Sequence, residues 1–75
     1  MVRTVVINLM TSDQGRKAKA REIATSAADG VKFAAFVGER GDWLKVIAEE
    51  IDAVTVVDRI QRKAGLRDAK LISVE

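Results

Sequence analysis

The chain has 75 residues, the size of one small domain. It contains no cysteine and no histidine, which excludes disulfides, thiolate metal sites and histidine as a general base. The net charge of +2 at pH 7 is mild, and no apolar run approaches the ~20 residues of a membrane-spanning helix. These features leave a cytosolic or nuclear protein, or a domain cut from a larger chain, and we expect residues 1–75 to form a single cytoplasmic domain.

Catalysis is not expected from a chain of this kind. A domain this small buries only about 60% of the surface that its unfolded chain exposes, which leaves little room for a deep catalytic pocket. The carboxylates that could be proposed as acid–base pairs are Glu39, Asp42, Glu49, Glu50 and Asp52. Glu39 and Asp42 fall in a predicted turn, and Asp52 suits a helix cap. No nucleophile with an adjacent base is available, so we expect neither an enzyme nor a cofactor.

The first part of the chain predicts a strand followed by a helix. Residues 3–9 alternate in the manner of a half-buried strand. The face assigned to the core consists of Val5, Ile7 and Leu9. A polar loop over 11–15 leads into a helix from about Gln14 to Ala28, which Asp29-Gly30 is predicted to end. The apolar face of this helix consists of Ala20, Ile23, Ala24 and Ala27.

The second part predicts a hairpin, another helix and a last strand. The predicted elements are strands over 31–38, 43–48 and 69–74 and a helix over 53–64. The four polar residues between the first two strands favour an antiparallel hairpin. Asp52 is predicted to cap the second helix, and Gly65 to end it. The apolar face predicted for that helix consists of Val54, Val57, Ile60 and Ala64, with Val56 beside it.

The element order β-α-β-β-α-β predicts an α+β fold of the ferredoxin-like type. Two right-handed crossovers place both helices on one face of a four-stranded antiparallel sheet. The spatial strand order is then fourth, first, third, second, which leaves the second and fourth strands at the edges.

The face of the sheet that is predicted to point away from the helices carries more apolar side chains than a solvent-exposed face requires. The charged Lys45 is expected to point away from the core. Because side chains alternate between the two faces of a strand, Trp43 and Ile47 point outward with it. Phe33 and Phe36 lie three residues apart, so one of them must also face outward. Either Trp43 folds over the rim of the sheet as a single exposed apolar residue, or this face and the edge strand bind another protein.

Basic residues fall into two clusters. The first consists of Arg16, Lys17, Lys19 and Arg21, and the second of Arg59, Arg62, Lys63 and Arg67. They fit solvated helix faces, basic faces used against proteins, or contacts to an anionic partner such as nucleic acid.

Several features together resemble a known family. They are the element order β-α-β-β-α-β, the leading Val5-Val6-Ile7 strand, Met10 before a short loop, and Gly65 closing the second helix. The stretches that carry the likeness are Arg16-Lys17-Ala18-Lys19-Ala20, Ala35-Phe36-Val37-Gly38, Glu50-Ile51-Asp52 and Arg62-Lys63-Ala64-Gly65. The chain resembles, over almost its whole length, the heavy-metal-associated (HMA) domain of plants. Such domains occur in small metallochaperone-like proteins and as integrated domains of paired intracellular immune receptors of the nucleotide-binding, leucine-rich-repeat (NLR) class.

The metal motif of that family is absent from this chain. It reads Met-x-Cys-x-x-Cys before the first helix, where two thiolates hold a soft ion such as Cu(I). With the methionine laid on Met10, the cysteine positions fall on Ser12 and Gly15. The resemblance therefore implies a metal-free relative that keeps the surface of the fold.

In the integrated receptor domains, that surface recognises secreted pathogen effectors in plant defense. One binding mode uses the second and third strands, which here implies contacts at Phe33, Ala35, Val37, Glu39, Trp43, Lys45 and Ile47. Another uses the edge of the second strand and the first helix, which here implies Lys32 with its neighbours, Arg16 and Lys17. The implied partner is a pathogen effector protein, and no membrane contact is implied.

Other functions remain open at this stage. The chain could be a free-standing metallochaperone-like relative that has lost metal binding, or it could form a homodimer through an edge strand. Residues 32–37 superficially resemble an RNA-recognition motif, which suggests a nucleic-acid-binding ferredoxin-like module. In that motif, however, the segment lies on the third strand, whereas here it lies on the second, with its phenylalanines on opposite sides.

Overall fold

Two helices and four strands account for most of the chain in the computed structural model, which describes residues 1–75. The elements are β1 (Arg3–Asn8), α1 (Gln14–Ser26), β2 (Asp29–Val37), β3 (Trp43–Glu50), α2 (Ala53–Lys63) and β4 (Lys70–Val74). All neighbouring strands pair antiparallel in one sheet of order β2-β3-β1-β4. The predicted α+β ferredoxin-like fold is confirmed, as is the position of β2 and β4 at the edges of the sheet.

The core lies between the two helices and one face of the sheet. The inward residues of β1 and β3 are fully buried, namely Val5, Ile7, Leu44, Val46 and Ala48. They meet Ala20 and Ala24 of α1 and Val56 and Ile60 of α2 in one apolar cluster. Because alanine presents only a methyl group, α1 can lie close to the sheet. The predicted core faces of both central strands and of α1 are confirmed.

The junction between α1 and β2 differs from the prediction. Helix α1 ends at Ser26, and Ala27 caps it in a right-handed conformation. Asp29 already pairs with Glu50, so β2 starts at Asp29 and β3 extends to Glu50. Gly30 therefore lies inside β2, where its φ of 64° favours glycine, and a Cβ there would displace the exposed Glu49 side chain, whose Oε2 would lie 2.7 Å away. The prediction that Asp29-Gly30 ends the helix is wrong.

The buried face of α2 also differs from the prediction. Val54 is 74% exposed, whereas Ala53, Val56, Ile60 and Ala64 are buried. Seven residues separate Ala53 from Ile60, which is close to two helical turns, whereas Val54 lies about a third of a turn away from Ile60. The smaller Ala53 therefore faces the core, and the larger Val54 faces solvent.

The ends of α2 follow the prediction closely. The Asp52 carboxylate accepts hydrogen bonds from the backbone N–H of Thr55 at 3.2 Å and from the Thr55 hydroxyl at 3.0 Å. The chain leaves the helix through Ala64 and then Gly65, whose φ is 69°. The hydrogen bond from the Thr55 backbone N–H, followed by that from the Thr55 hydroxyl, lowers the pKa of the Asp52 carboxyl below its ordinary value.

This cap predicts a pH dependence of stability. A carboxyl with a lowered pKa contributes stability above its unfolded-state pKa, and that contribution disappears as the pH falls through the folded-state value. We expect Asp52→Asn, which retains an oxygen acceptor but no charge, to unfold at lower urea concentration than the wild type at pH 7. The difference between the two midpoints should shrink as the pH is lowered through the ordinary pKa range of an aspartate and into the more acidic range below it. A difference that stays constant over this range would contradict the role of the charge.

Candidate functional site

The outer face of the sheet carries a continuous surface that no helix covers. We call this surface the open face, and it consists of Thr4, Val6, Asn8, Phe33, Ala35, Val37, Trp43, Lys45 and Ile47. Across the β2–β3 ladder, Phe33 lies opposite Ile47 and Val37 lies opposite Trp43. Phe33 is 45% exposed and Trp43 is 38% exposed. Two of the three aromatic residues of the chain therefore lie on the solvent side of the sheet.

Glycine places the indole of Trp43 at one end of the open face. Gly38, just after β2, has a φ of 91°, and a Cβ added there would lie 3.5 Å from Cγ of Trp43. The indole therefore lies beside a backbone position that has no side chain. On its other flank, Trp43 pairs with Asn8 of β1. Trp43 thus keeps to the outer side of the sheet and is not sealed beneath a helix.

Lys45 lies near the middle of the open face. It is half-buried between Ala35 on β2 and Val6 on β1, which lie directly opposite it. Neither of the two ion pairs in the structure involves it. A cation set among apolar neighbours can pair with an acidic group that a partner presents to the centre of this face.

The open edge of β2 borders the same surface. Strand β2 has nine residues and pairs only with β3, so its outer main-chain groups have no partner strand. The register shifts between Val31 and Phe33, and Lys32 at this point forms an ion pair with Glu49 at 3.3 Å. Charged residues and irregular register are common devices that protect an edge strand from unspecific pairing.

A groove of about 520 Å³ runs along the same edge, between α1 and β2. It is lined by Ala18, Arg21, Glu22, Thr25, Val31, Ala34 and Phe36. Sequence analysis did not select Arg21 or Thr25 as contacts. The signal that could have found them is their spacing from Ala18, since residues 18, 21 and 25 form a stripe beside the core face of α1.

Arg16 lies toward the end of α2, and Lys17 packs against the core-facing Phe36 of β2. The Arg16 guanidinium donates a hydrogen bond to the carbonyl oxygen of Gly65 at 3.3 Å, so it lies toward the end of α2. Lys17 is only 5% exposed, and its Nζ lies 4.9 Å from the centroid of the Phe36 ring. The long apolar stem of a lysine packs well against an aromatic ring. Lys17 therefore belongs to the packing of the domain and exposes little surface to a partner, so its role as a contact stays a prediction.

The other residues predicted as contacts lie on the open face or in the turn after β2. Ala35 and Val37 lie on the open face with Phe33, whereas Phe36 faces the core. Glu39 is exposed in the turn that joins β2 to β3. The open face and the β2 edge thus bring together most of the residues singled out in the two strands, and leave Arg16 and Lys17 elsewhere.

The loop before α1 does not fit a soft metal ion. It contains Ser12 and Gly15 where the resembling family has thiolates. The Asp13 carboxylate accepts a hydrogen bond from the Arg16 backbone N–H at 3.0 Å and so caps α1. No group of three histidine, cysteine, aspartate or glutamate side chains comes together anywhere in the chain.

Met10 in this loop adopts a strained backbone conformation. Its φ of 55° lies in the left-handed region, and it is the only residue other than glycine to do so. Such a conformation costs a non-glycine residue about 1–2 kcal/mol, against about 0.5–1 kcal/mol of extra chain entropy for glycine. We expect Met10→Gly to raise the free energy of unfolding by about 0.5–1 kcal/mol, as measured by urea denaturation. A loss of stability would show that the exposed Met10 side chain makes a contact worth more than the strain.

Neither helix is long and apolar enough to cross a membrane.

Comparisons with protein-family models and with curated proteins return no match for this chain. The functional assignment therefore rests on the geometry of the open face and of the β2 edge.

Proposed function

We propose that this chain is a non-catalytic protein-binding domain that docks a partner polypeptide on its open face. The observation that carries this proposal is the placement of Phe33 and Trp43, the two most exposed aromatic residues, on the side of the sheet that no helix covers. A small domain gains stability by burying aromatic rings, so leaving two of them on one open surface favours a role in binding.

The open face combines aromatic, aliphatic and charged side chains, which favours a partner surface with both apolar and charged groups. Aromatic anchors bordered by polar groups are typical of the residues that dominate binding energy at protein interfaces. Lys45 adds one cation at the centre, which favours a partner with an acidic group between apolar side chains. The half-buried Ile47 and Val37 extend the apolar surface between the two anchors.

The open edge of β2 supplies a second means of attachment. An extended segment of the partner can pair with the free main-chain groups of β2 and so add a fifth strand to the sheet. Main-chain pairing provides affinity with little dependence on sequence, whereas the neighbouring side chains provide selectivity. We infer that the partner presents an extended strand beside a patch that covers Phe33 and Trp43.

The resemblance to plant HMA domains gives this partner its biological identity. By that resemblance, the domain belongs to the sensor member of a paired intracellular NLR immune receptor, and its partner is a secreted pathogen effector. The absence of the family's thiolates supports this role over metal transport, because the chain keeps the surface of the fold but not the metal ligands.

The experiment is a binding screen with a matched control. Purified effectors secreted by plant pathogens are passed over the immobilised chain and measured by surface plasmon resonance. Each effector that binds is then tested against Trp43→Ala and against Val54→Ala, an exposed apolar residue in the opposite layer. We expect Trp43→Ala to weaken binding and Val54→Ala to leave it unchanged. The proposal fails if no effector binds, or if the effectors that bind are insensitive to Trp43→Ala.

A further inference from the structure

The charges of the molecule are divided between its two layers. Helices α1 and α2 carry seven of the thirteen basic residues and only two of the eleven acidic ones. The strands and loops carry the other six basic and nine acidic residues. The helices thus hold an excess of five positive charges, and the rest of the chain an excess of three negative ones. The small net charge of the chain conceals a strongly basic helical layer.

Helix stability does not explain the positive charge on α1. The partial positive charge at a helix N-terminus favours acidic residues in the first turn. The first turn of α1 has no acidic residue and carries Arg16 and Lys17 instead. These two cations have structural partners in the Gly65 carbonyl oxygen and the Phe36 ring, respectively. Lys19, one turn further along, has neither an ion pair nor a side-chain hydrogen bond.

Three cations without partners lie together between the helices. Lys19 of α1 and Arg59 and Lys63 of α2 line a cleft of about 180 Å³. The rest of the lining consists of Glu22, Ile23 and Ser26. The only ion pairs in the structure are Lys32 with Glu49 and Arg62 with Asp58, so none of the three cations lies within 4.0 Å of a carboxylate. Like charges held close together repel one another, and an anion in the cleft would remove that repulsion.

We propose that this cleft, which we call the interhelical cleft, binds an acidic segment of a polypeptide. The side chains of such a segment bring carboxylates to Lys19, Arg59 and Lys63. Its backbone N–H groups can donate to the carboxylate of Glu22, and its carbonyl groups can accept from the hydroxyl of Ser26. This site lies in the opposite layer from the open face, so it does not depend on the function proposed above.

The lining of the cleft favours a polypeptide over nucleic acid. A DNA backbone offers acceptors but no donors, so it would leave the Glu22 carboxylate unpaired beside phosphate groups. Single-stranded nucleic acid is held largely by stacking on aromatic side chains. Neither α1 nor α2 contains an aromatic residue.

The test measures binding of a defined acidic probe to the full chain. A fluorescein-labelled peptide of alternating glutamate and glycine is titrated with the wild type and with Lys19→Glu, using fluorescence anisotropy at low salt. Charge reversal in the cleft replaces an attraction with a repulsion, so we expect about a tenfold loss of affinity. The double variant Lys19→Glu/Lys63→Glu should abolish binding. Circular dichroism verifies that each variant keeps its helices.

A matched control separates the cleft from net charge. Lys70→Glu makes the same change of charge on β4, at an exposed residue opposite Asn8 on the other side of the sheet. We expect it to change the affinity for the acidic peptide less than about threefold, since screening weakens the effect of distant exposed charges. An equal loss in Lys70→Glu and Lys19→Glu would overturn the proposal. So would a DNA duplex that binds more tightly than the peptide and loses affinity in the same cleft variants.

Discussion

Replacing Ile60 with alanine is expected to lower the free energy of unfolding by about 2–5 kcal/mol. Ile60 of α2 is fully buried and belongs to the same apolar cluster as the inward residues of β1 and β3. Truncation removes buried methyl groups and leaves a cavity that the rigid sheet cannot fill. Small domains have about 5–15 kcal/mol of stability in total, so this single change removes a large part of it.

The matched control for Ile60 is Val54 on the same helix. Val54→Ala removes methyl groups from a side chain that is 74% exposed, so we expect a change within about 0.5 kcal/mol. Urea denaturation followed by circular dichroism measures both variants. Comparable losses in the two variants, or a larger loss in Val54→Ala, would contradict the orientation of α2 described here and restore the face predicted from the sequence.

Replacing Trp43 with alanine is expected to weaken partner binding by about thirtyfold or more, which corresponds to about 2 kcal/mol. Tryptophan is among the residues that most often dominate interface energy, because a large rigid ring is desolvated on binding. In the free domain the ring already lies partly in solvent beside Gly38, so its truncation leaves no closed cavity in the core. The loss of stability should therefore be about 1 kcal/mol or less.

Binding and stability must be measured together for this variant. Surface plasmon resonance with an effector from the screen gives the affinity, and thermal unfolding gives the stability. An unchanged affinity combined with a large loss of stability would assign Trp43 to the packing of the sheet and not to a docking surface.

The strand faces could be predicted because successive side chains alternate strictly between the two faces of a strand. One charged residue, Lys45, fixed the outer side of β3 and hence the inward position of Leu44 and Val46. The spacing of three between Phe33 and Phe36 forced them onto opposite faces in any register. Such arguments need only the alternation of side chains along a strand, so they hold without knowledge of the tertiary structure.

The orientation of helices was harder to predict. The apolar residues of α2 cover more than one face, and both Ala53 and Val54 are compatible with a buried first turn. Hydrophobicity favours the larger residue, whereas the packing of Val56 and Ile60 places Ala53 against the sheet. The side chain of a basic residue in the first turn of α1 can lie toward α2, β2 or solvent. Only the tertiary arrangement shows that Arg16 lies toward α2 and that Lys17 is buried.

The sequence around Gly30 also led to a wrong prediction of the structural role of this glycine. A glycine after an alanine-rich helix is the usual sign of a helix end. Here the helix ends at Ser26, and the same glycine lies at the start of β2 with a φ of 64°. The long pairing of β2 with β3 determines this choice, and it is not visible in the sequence near Gly30.

The residues that the strands contribute to the candidate site could be predicted from the sequence, but those that α1 contributes could not. Alternation predicted that Trp43 and Lys45 share one surface with one of the two phenylalanines, and the family resemblance implied Phe33. The groove beside β2 depends on which flank of α1 faces the strand, and this brings in Arg21 and Thr25 in place of Arg16 and Lys17. The interhelical cleft depends on the contact between two elements far apart in sequence, so it could not be predicted from either helix alone.

The most direct test of the open face uses the single tryptophan of the chain. Trp43 is labelled as 5-fluorotryptophan, which gives one fluorine resonance that no unlabelled partner can obscure. The domain is then titrated with an effector from the binding screen. A docking surface at Trp43 predicts that this resonance shifts or broadens as the complex forms. A complex that forms, as judged by surface plasmon resonance, while the resonance stays unchanged would contradict the central claim.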